Sequence, residues 1–141
     1  MNRFKTYLGV FLLGASVLVG CESGPSVADK RAEVMAIHDE VMPKMDDIHK
    51  LTKELDSMRE SLSASAEGVD SVALGEIADL KTQLKSADDA MMDWMHKFDA
   101  SKLTGDKATA LEYLDSEMVS VQAVKVEMLK AIEDAKAYLA K

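Results

Sequence analysis

The sequence predicts an all-α protein: an antiparallel three-helix bundle, up-down-up, that follows a cleaved lipoprotein signal peptide. Three observations favour this architecture. Apolar residues recur at helical spacing through most of the chain, glycine-containing turns interrupt that spacing twice, and the composition is dominated by residues that favour helices. Short loops between long helices make neighbouring helices antiparallel. A continuous coiled-coil dimer is the alternative, and the two turns argue against it.

The first twenty residues have the features of a secretory signal. Arg3 and Lys5 give a positive start, and the mostly apolar run 8–19 is shorter than the ~20 residues that span a bilayer. The run ends in Leu18-Val19-Gly20-Cys21, which resembles the bacterial lipobox. That resemblance implies cleavage before Cys21, a diacylglycerol thioether on this cysteine and N-acylation of the new terminus. An ordinary secretory signal with a chance cysteine is the alternative.

The composition of residues 21–141 excludes several classes of function. Without Arg3 and Lys5, the remaining 15 cationic and 25 acidic residues give a net charge of −10, which disfavours nucleic acid and anionic lipid surfaces as partners. Once Cys21 is acylated, no thiol remains for a disulfide or for thiolate chemistry. The chain has no glycine-rich phosphate loop, nucleophile elbow or HExxH motif, so we expect no enzyme.

Residues 21–28 are predicted to be the acylated cysteine and a flexible tether, and residues 29–141 the bundle. The three helices are expected at about 29–62, 71–100 and 106–140. Asp70 or Ser71 is the candidate N-cap of the second helix, and Thr104 or Asp106 that of the third. Pro43 interrupts the first helix, either as a kink or as a break into two helices.

The residues expected in the core follow from the helical repeat. In the first helix the repeat is seven residues, sustained over four repeats. Its members are Val34, Val41, Ile48, Leu55 and Leu62, with Ile37, Leu51 and Met58 at the companion position. The second helix is marked by Ile77, Leu80, Leu84, Ala87, Met91, Trp94 and Phe98, and the third by Leu111, Leu114, Met118, Val121, Val124, Met128, Ile132, Ala135 and Leu139.

All three histidines lie beside methionines. The first helix carries a stripe at spacings of 3, 4, 3 and 4, formed by Met35, His38, Met42, Met45 and His49. The second helix has a compact group, formed by Met91, Met92, Met95 and His96. In an untwisted antiparallel hairpin that turns near Glu67, His38 and His96 are each 29 residues from the turn and would lie at the same height.

This placement makes the two groups a candidate metal site. Thioether sulfur and neutral imidazole are ligands that Cu(I) accepts, so we consider copper(I) bound by His38, Met42, Met45, Met92, Met95 and His96. The alternatives stay open. Methionine is a common core filler, and exposed methionines can also scavenge oxidants. A harder Zn(II) or Cu(II) site would draw on nearby carboxylates, for which a solvated acidic face is the simpler explanation; they are Asp39, Glu40, Asp46, Asp47, Asp88 and Asp89.

Two segments resemble a group of proteins. They are Ala36-Ile-His-Asp-Glu-Val-Met-Pro-Lys-Met45 and Met91-Met-Asp-Trp-Met-His-Lys-Phe98. Both are similar to those of small helical lipoproteins of Gram-negative bacteria that are automatically labelled "viral A-type inclusion protein". The resemblance implies an envelope lipoprotein and transfers no catalytic or binding residue.

The sequence thus predicts a non-enzymatic protein held by its lipid anchor in the cell envelope. The expected location is the outer membrane, on its periplasmic face or at the cell surface. The working function is binding of Cu(I) or a related soft metal by the Met/His cluster. The alternative is an interaction or scaffolding module that contacts an envelope partner through its long helical faces, with the methionines serving as packing.

Overall fold

A computed structural model of the chain describes residues 24–64 and 70–141. In this part of the chain the structure is helical apart from short turns and contains no strand. The elements are α1 (Val27–Val41), α2 (Lys44–Ser63), α3 (Ser71–Lys97), a 3-10 helix (Ala100–Leu103) and α4 (Lys107–Leu139). The α-helices pack against one another around a shared hydrophobic core, which confirms the all-helical prediction.

Several predicted features lie outside the described residues. They are the signal peptide over residues 1–20, the acylated Cys21 with the start of the tether, and residues 65–69 of the first loop, including Gly68. Among the described helices, none combines the length and the apolar character that a membrane-spanning segment needs.

Pro43 divides the predicted first helix into α1 and α2. Proline has no N–H to donate to the carbonyl of Asp39, so the hydrogen-bond ladder is interrupted there. The N–H of Met42 still donates to the His38 carbonyl at 2.9 Å, and the N–H of Met45 donates to the Met42 carbonyl at 3.1 Å, which is a tighter turn. Met42 and Pro43 keep right-handed helical backbone angles. The structure therefore has two helices, with Pro43 as the residue that caps the second.

Four of the five members of the predicted seven-residue repeat are buried, and the fifth, Leu62, is half-buried near the end of α2. Val34, Val41, Ile48 and Leu55 are each at most 2% exposed. Val41 and Ile48 stand on opposite sides of Pro43, so the break leaves the two helices in phase. The buried residues of α3 and α4 complete the core; they are Ile77, Leu80, Leu84, Ala87, Met91, Trp94, Ala110, Leu114, Val121, Val124, Met128, Ala131, Ile132 and Ala135.

Polar contacts between the helices show their relative directions. Along α1 and α2, Lys30, Glu40 and Asp47 pair in that order with Asp115, Lys125 and Lys136 of α4. Along α3 the order is reversed: the Tyr138 hydroxyl donates to the Ala73 carbonyl, and the Ser86 hydroxyl to Glu127. α2 and α3 also pair in reverse order, through Asp56 with Lys81 and His49 with Asp88. Helix α4 packs against each of the other three α-helices.

Side-chain caps fix where α1, α3 and α4 begin. Asp70 accepts hydrogen bonds from the N–H groups of Val72 and Ala73, and Asp106 accepts one from Thr109, as two of the predicted caps. The first helix begins at Val27, two residues before the prediction, because Ser26 accepts from the N–H of Asp29 at 3.0 Å. Asp29 is thus the third residue of that helix rather than its first. At the other turn, α3 ends at Lys97 instead of about residue 100, and the 3-10 helix follows.

Candidate functional site

His38 is the histidine that the structure places against an aromatic ring of another helix. Its side chain is 15% exposed, and its Nδ1 lies 2.9 Å from Oδ1 of Asp39. The imidazole ring lies against the indole of Trp94, with centroids 5.5 Å apart and planes inclined by 33°. The first helix and the Met/His group of α3 therefore meet at His38 and Trp94.

Trp94 continues this contact into an aromatic row, which we define as His38, Trp94, Phe98 and Tyr113. The Trp94 and Phe98 centroids are 5.4 Å apart, and those of Phe98 and Tyr113 are 6.0 Å apart. Trp94 is 6% exposed, and its Nε1 has no hydrogen-bond partner among the described residues. The row is well packed, and it contains one buried donor without an acceptor.

Tyr113 ends the aromatic row near the turn between α3 and α4. Its hydroxyl accepts a hydrogen bond of 2.7 Å from the N–H of Asp99, and the ammonium of Lys102 lies 4.8 Å from the ring centroid. Burial raises the pKa of the Tyr113 hydroxyl, which the hydrogen bond from Asp99 partly offsets. The hydroxyl therefore stays protonated at neutral pH and fixes the turn.

The methionines of the predicted cluster differ in burial. Met42, Met45 and Met95 are half-buried and pack against the core. Met91, beside them in sequence, is fully buried. Met92 is 39% exposed on the outside of α3. Of the nine methionines after the first residue, Met92 alone is exposed, so most of them pack in or against the core.

His96 lies away from His38. It is exposed and follows Trp94 by two residues, which is about 200° around a helix. Because Trp94 faces His38 and the core, His96 points to a different side of α3. The equal heights predicted for the two histidines thus do not bring their side chains to one face. In the described part of the chain, no three histidine or acidic side chains are grouped closely enough to hold a metal ion.

Most of the carboxylates considered for a harder metal site are engaged in other contacts; the exposed Asp46 forms no ion pair within the described residues. Glu40 pairs with Lys125, Asp47 with Lys44 and Lys136, and Asp89 with Lys85. Asp88 lies 3.2 Å from Nε2 of His49, although the angles are not those of a hydrogen bond. These contacts agree with the solvated acidic face that was the simpler explanation.

A groove between α2 and α3 is a feature that the sequence analysis missed. It has a volume of about 520 Å³. Ile48 and Ala78 contribute to its apolar lining, and basic side chains from both helices border it. In the sequence these basic residues look like parts of two ordinary solvated faces. They become neighbours only when the two helices are paired.

The outer face of α4 is a second missed feature. It carries an apolar row, which we define as Val119, Val126 and Leu129, with exposures of 68%, 67% and 38%. Their spacings of seven and three residues match the pattern by which one helix packs on another. The core residues of α4 are on its opposite side, so this row has no covering among the described residues.

Comparison of the chain with models of known protein families, with curated proteins and with solved structures finds no match. The functional argument therefore depends on the chemistry of the residues themselves.

Proposed function

We propose that this chain is a lipid-anchored, non-enzymatic protein of the cell envelope that acts as an interaction module. The positive start, the apolar run and the lipobox-like sequence before Cys21 support the anchor. Two or three acyl chains make a stable anchor, since each buried methylene contributes ~0.8 kcal/mol. The order of polar contacts supports an up-down-up bundle as the anchored unit. The tether end of that bundle would be the end that holds Ser26 and the 3-10 helix.

The apolar row on α4 is the observation that carries the proposal of an interaction module. Three large aliphatic side chains face solvent on one side of a helix of 33 residues. A second copy is a poor occupant, because two anchored chains with 15 cationic and 25 acidic residues each, a net charge of −10, repel each other. The occupant that fits is an amphipathic helix of another envelope protein, with an apolar row of its own and cationic residues beside it.

A photo-crosslinking amino acid placed at Val126 tests this proposal in cells that express the full chain. We expect one specific crosslinked partner from Val126, and the same partner from Val119. Val72 is a matched control, because it is also a valine on a helix and is 71% exposed. Val119→Asp should reduce crosslinking from Val126. Equal products from Val72 and Val126, or no product from Val126, would contradict the proposal.

The lipid anchor has a separate test. Labelled fatty acid should be incorporated into the full chain and lost in Cys21→Ser, and the same variant should leave the membrane fraction. If Cys21→Ser retains the label, acylation at Cys21 is wrong, whatever α4 binds.

The second candidate function is binding of Cu(I), which the surroundings of His38 favour. A histidine that binds a metal through one ring nitrogen commonly has the other held by a carboxylate. Nδ1 of His38 lies against Asp39, which leaves Nε2 as the ligand atom. Met42 and Met45, four and seven residues further on, lie on the same side of the first helix. A site built on these residues would not use His96.

Anaerobic titration with Cu(I) against a chromophoric chelator tests this candidate. If the candidate is right, the chain binds one equivalent, and His38→Ala weakens binding at least tenfold. His96→Ala is the matched control and should change the affinity less than twofold. Equal losses in the two variants, or no competition with a weak chelator, would leave the methionines as packing.

A further inference from the structure

The groove between α2 and α3 is bordered by basic side chains along one stretch of the helix pair. Arg59 comes from the second half of α2, and Lys81 and Lys85 come from successive turns of α3. His49 and Asp88 stand at the other end of the groove, where they approach each other to 3.2 Å. Ten residues separate Arg59 from His49, which corresponds to a length of ~15 Å along a helix.

Each basic side chain of the groove has an acidic partner. Nζ of Lys81 lies 2.5 Å from Asp56, and Nε of Arg59 lies 3.8 Å from the same carboxylate. Lys85 pairs with Asp89 one turn away, and this contact raises the pKa of Lys85. Ion pairs that remain in contact with water contribute little, because the side chains give up freedom and the charges are screened. Arg59 and Lys85 are the more exposed of the three cations, so an anionic ligand can take them from their partners at small cost.

The floor of the groove is apolar. Its lining is mostly carbon surface, to which Ile48 and Ala78 contribute. Thr52 and Thr82 also line it, but their hydroxyls donate to the carbonyls of Ile48 and Ala78 in their own helices, each at 2.9 Å. Both hydroxyl protons are thus used within the helices, and little polar chemistry remains for a ligand in the middle of the groove.

We propose that this groove binds a single-chain amphiphile with an anionic head group. The head, a carboxylate or a phosphate, lies between Arg59, Lys81 and Lys85. The apolar chain lies over Ile48 towards His49. The three cations favour an anionic head group at this place. The rest of the protein is strongly acidic and would repel such a head group elsewhere.

The site is distinct from a general attraction to anionic lipid, which the excess of 25 acidic over 15 cationic residues in the anchored chain opposes. It is also distinct from the apolar row on α4, which belongs to another helix. Success or failure of the crosslinking experiment at Val126 therefore leaves this proposal unchanged.

Photoaffinity labelling of the full chain in phosphatidylcholine nanodiscs tests the proposal. The probe is dodecanoate with a diazirine near the end of its chain, and labelled residues are mapped by mass spectrometry. We expect labelling within 48–52 and 85–88, because Asp88 is the residue of α3 that faces His49. Unlabelled dodecanoate and dodecyl phosphate should compete, which compares the two head groups. Dodecanol and dodecyltrimethylammonium should compete at least tenfold less well. Equal competition by dodecanol would overturn recognition of the head group.

The chain offers a closely matched pair of control variants. Lys81→Gln with Lys85→Gln removes two charges from the groove, and should lower specific labelling at least tenfold. Lys125→Gln with Lys130→Gln removes the same charge elsewhere. Lys125, like Lys81, has a side chain that is 29% exposed and pairs with an acid of another helix. Lys130, like Lys85, pairs with an aspartate four residues on. We expect the control to change labelling less than twofold, and equal effects of the two double variants would overturn the proposal.

A filling variant gives an independent measurement. Ala78 is exposed at the Arg59 end of the groove, so Ala78→Phe should be tolerated by the fold while it fills the place of the head group. We expect labelling to fall with the helical circular dichroism unchanged. Undiminished labelling of residues 48–52 in a folded Ala78→Phe chain would place the amphiphile outside the groove.

Discussion

The imidazole of His38 and the indole of Trp94 lie 5.5 Å apart, centroid to centroid, and join α1 to α3. Backbone contacts of α1 are made chiefly with α4, so this pair of rings is a principal link between the first helix and the third. The indole also has a buried Nε1 without a partner among the described residues. Apolar burial therefore keeps Trp94 in place against the cost of one unpaired donor.

Trp94→Ala should destabilise the bundle by about 3–5 kcal/mol, because it removes the largest side chain of the row and leaves a cavity. Trp94→Phe should cost less than half as much, since it keeps a ring against His38 and Phe98 and removes the unpaired donor. Urea unfolding followed by circular dichroism measures both. Met92→Ala, at an exposed position of the same helix, should stay within about 0.5 kcal/mol of the parent chain. A Trp94→Phe variant as unstable as Trp94→Ala would contradict this account.

Pro43→Ala should stabilise the protein by up to about 2 kcal/mol. Residues 42 and 43 already have helical backbone angles, so alanine can restore a backbone hydrogen bond without moving the chain. The gain is reduced by the greater freedom of the unfolded variant. Thermal unfolding measures the change, and Pro43→Gly should gain less than Pro43→Ala, because glycine favours the helix least after proline. Loss of stability in Pro43→Ala would mean that the break between α1 and α2 is required for packing.

Methionine oxidation should follow the exposure of the side chains. Dilute hydrogen peroxide should convert Met92 to its sulfoxide first, because Met92 is 39% exposed. Met91 and Met128 are fully buried and should react only when the bundle unfolds. Peptide mapping by mass spectrometry over a time course measures the order. Early oxidation of Met91, the neighbour of Met92 in sequence, would show that the core opens locally at α3.

Stability should fall in acid partly through the caps of the helices. Hydrogen bonds from the backbone and side chain of Thr109 lower the pKa of Asp106, and those from the side chain and backbone of Ser101 lower the pKa of Asp99. A carboxyl group whose pKa is lower in the folded protein than in the unfolded chain stabilises the fold at pH values above the unfolded pKa of about 3.9. This contribution is lost as the pH falls below that value.

Asp106→Asn tests this dependence. Asparagine can still cap the helix but does not titrate, so the variant should lose less stability than the parent between about pH 5 and pH 3. Urea midpoints at several pH values measure the difference. Glu133→Gln is the control. Glu133 is an exposed acid near the end of α4, and the stability of this variant should follow the parent curve. An unchanged acid transition in Asp106→Asn would contradict the contribution of the cap.

The core could be predicted from the sequence because burial follows the helical repeat directly. Val34, Val41, Ile48 and Leu55 are buried since positions seven residues apart stay on one side of a helix. The repeat also predicted the buried positions on both sides of Pro43, because the backbone there remains helical. The caps were predicted at Asp70 and Asp106, whose side chains need only local hydrogen bonds.

The candidate sites were harder to predict because they depend on how the helices are rotated. Counting residues from the turn gives the position of His96 along the bundle but not the side of α3 on which it lies. That side is set by Trp94, which fills the core two residues earlier. Likewise, the sequence of neither helix alone shows that Arg59 and Lys81 lie close together. It arises from the pairing of α2 with α3, which local spacing does not specify.

The packing of α1, α2 and α3 on α4 has a consequence for biosynthesis. Each of the first three helices lacks part of its core until α4 has been made, because α4 supplies buried residues along the whole bundle. Helices that lack a partner for their apolar side are marginally stable in water. The growing chain would thus stay loosely folded during most of its synthesis. For a protein made with a signal peptide, as we propose, this delay keeps the chain in a form that can be threaded across the inner membrane before its core closes.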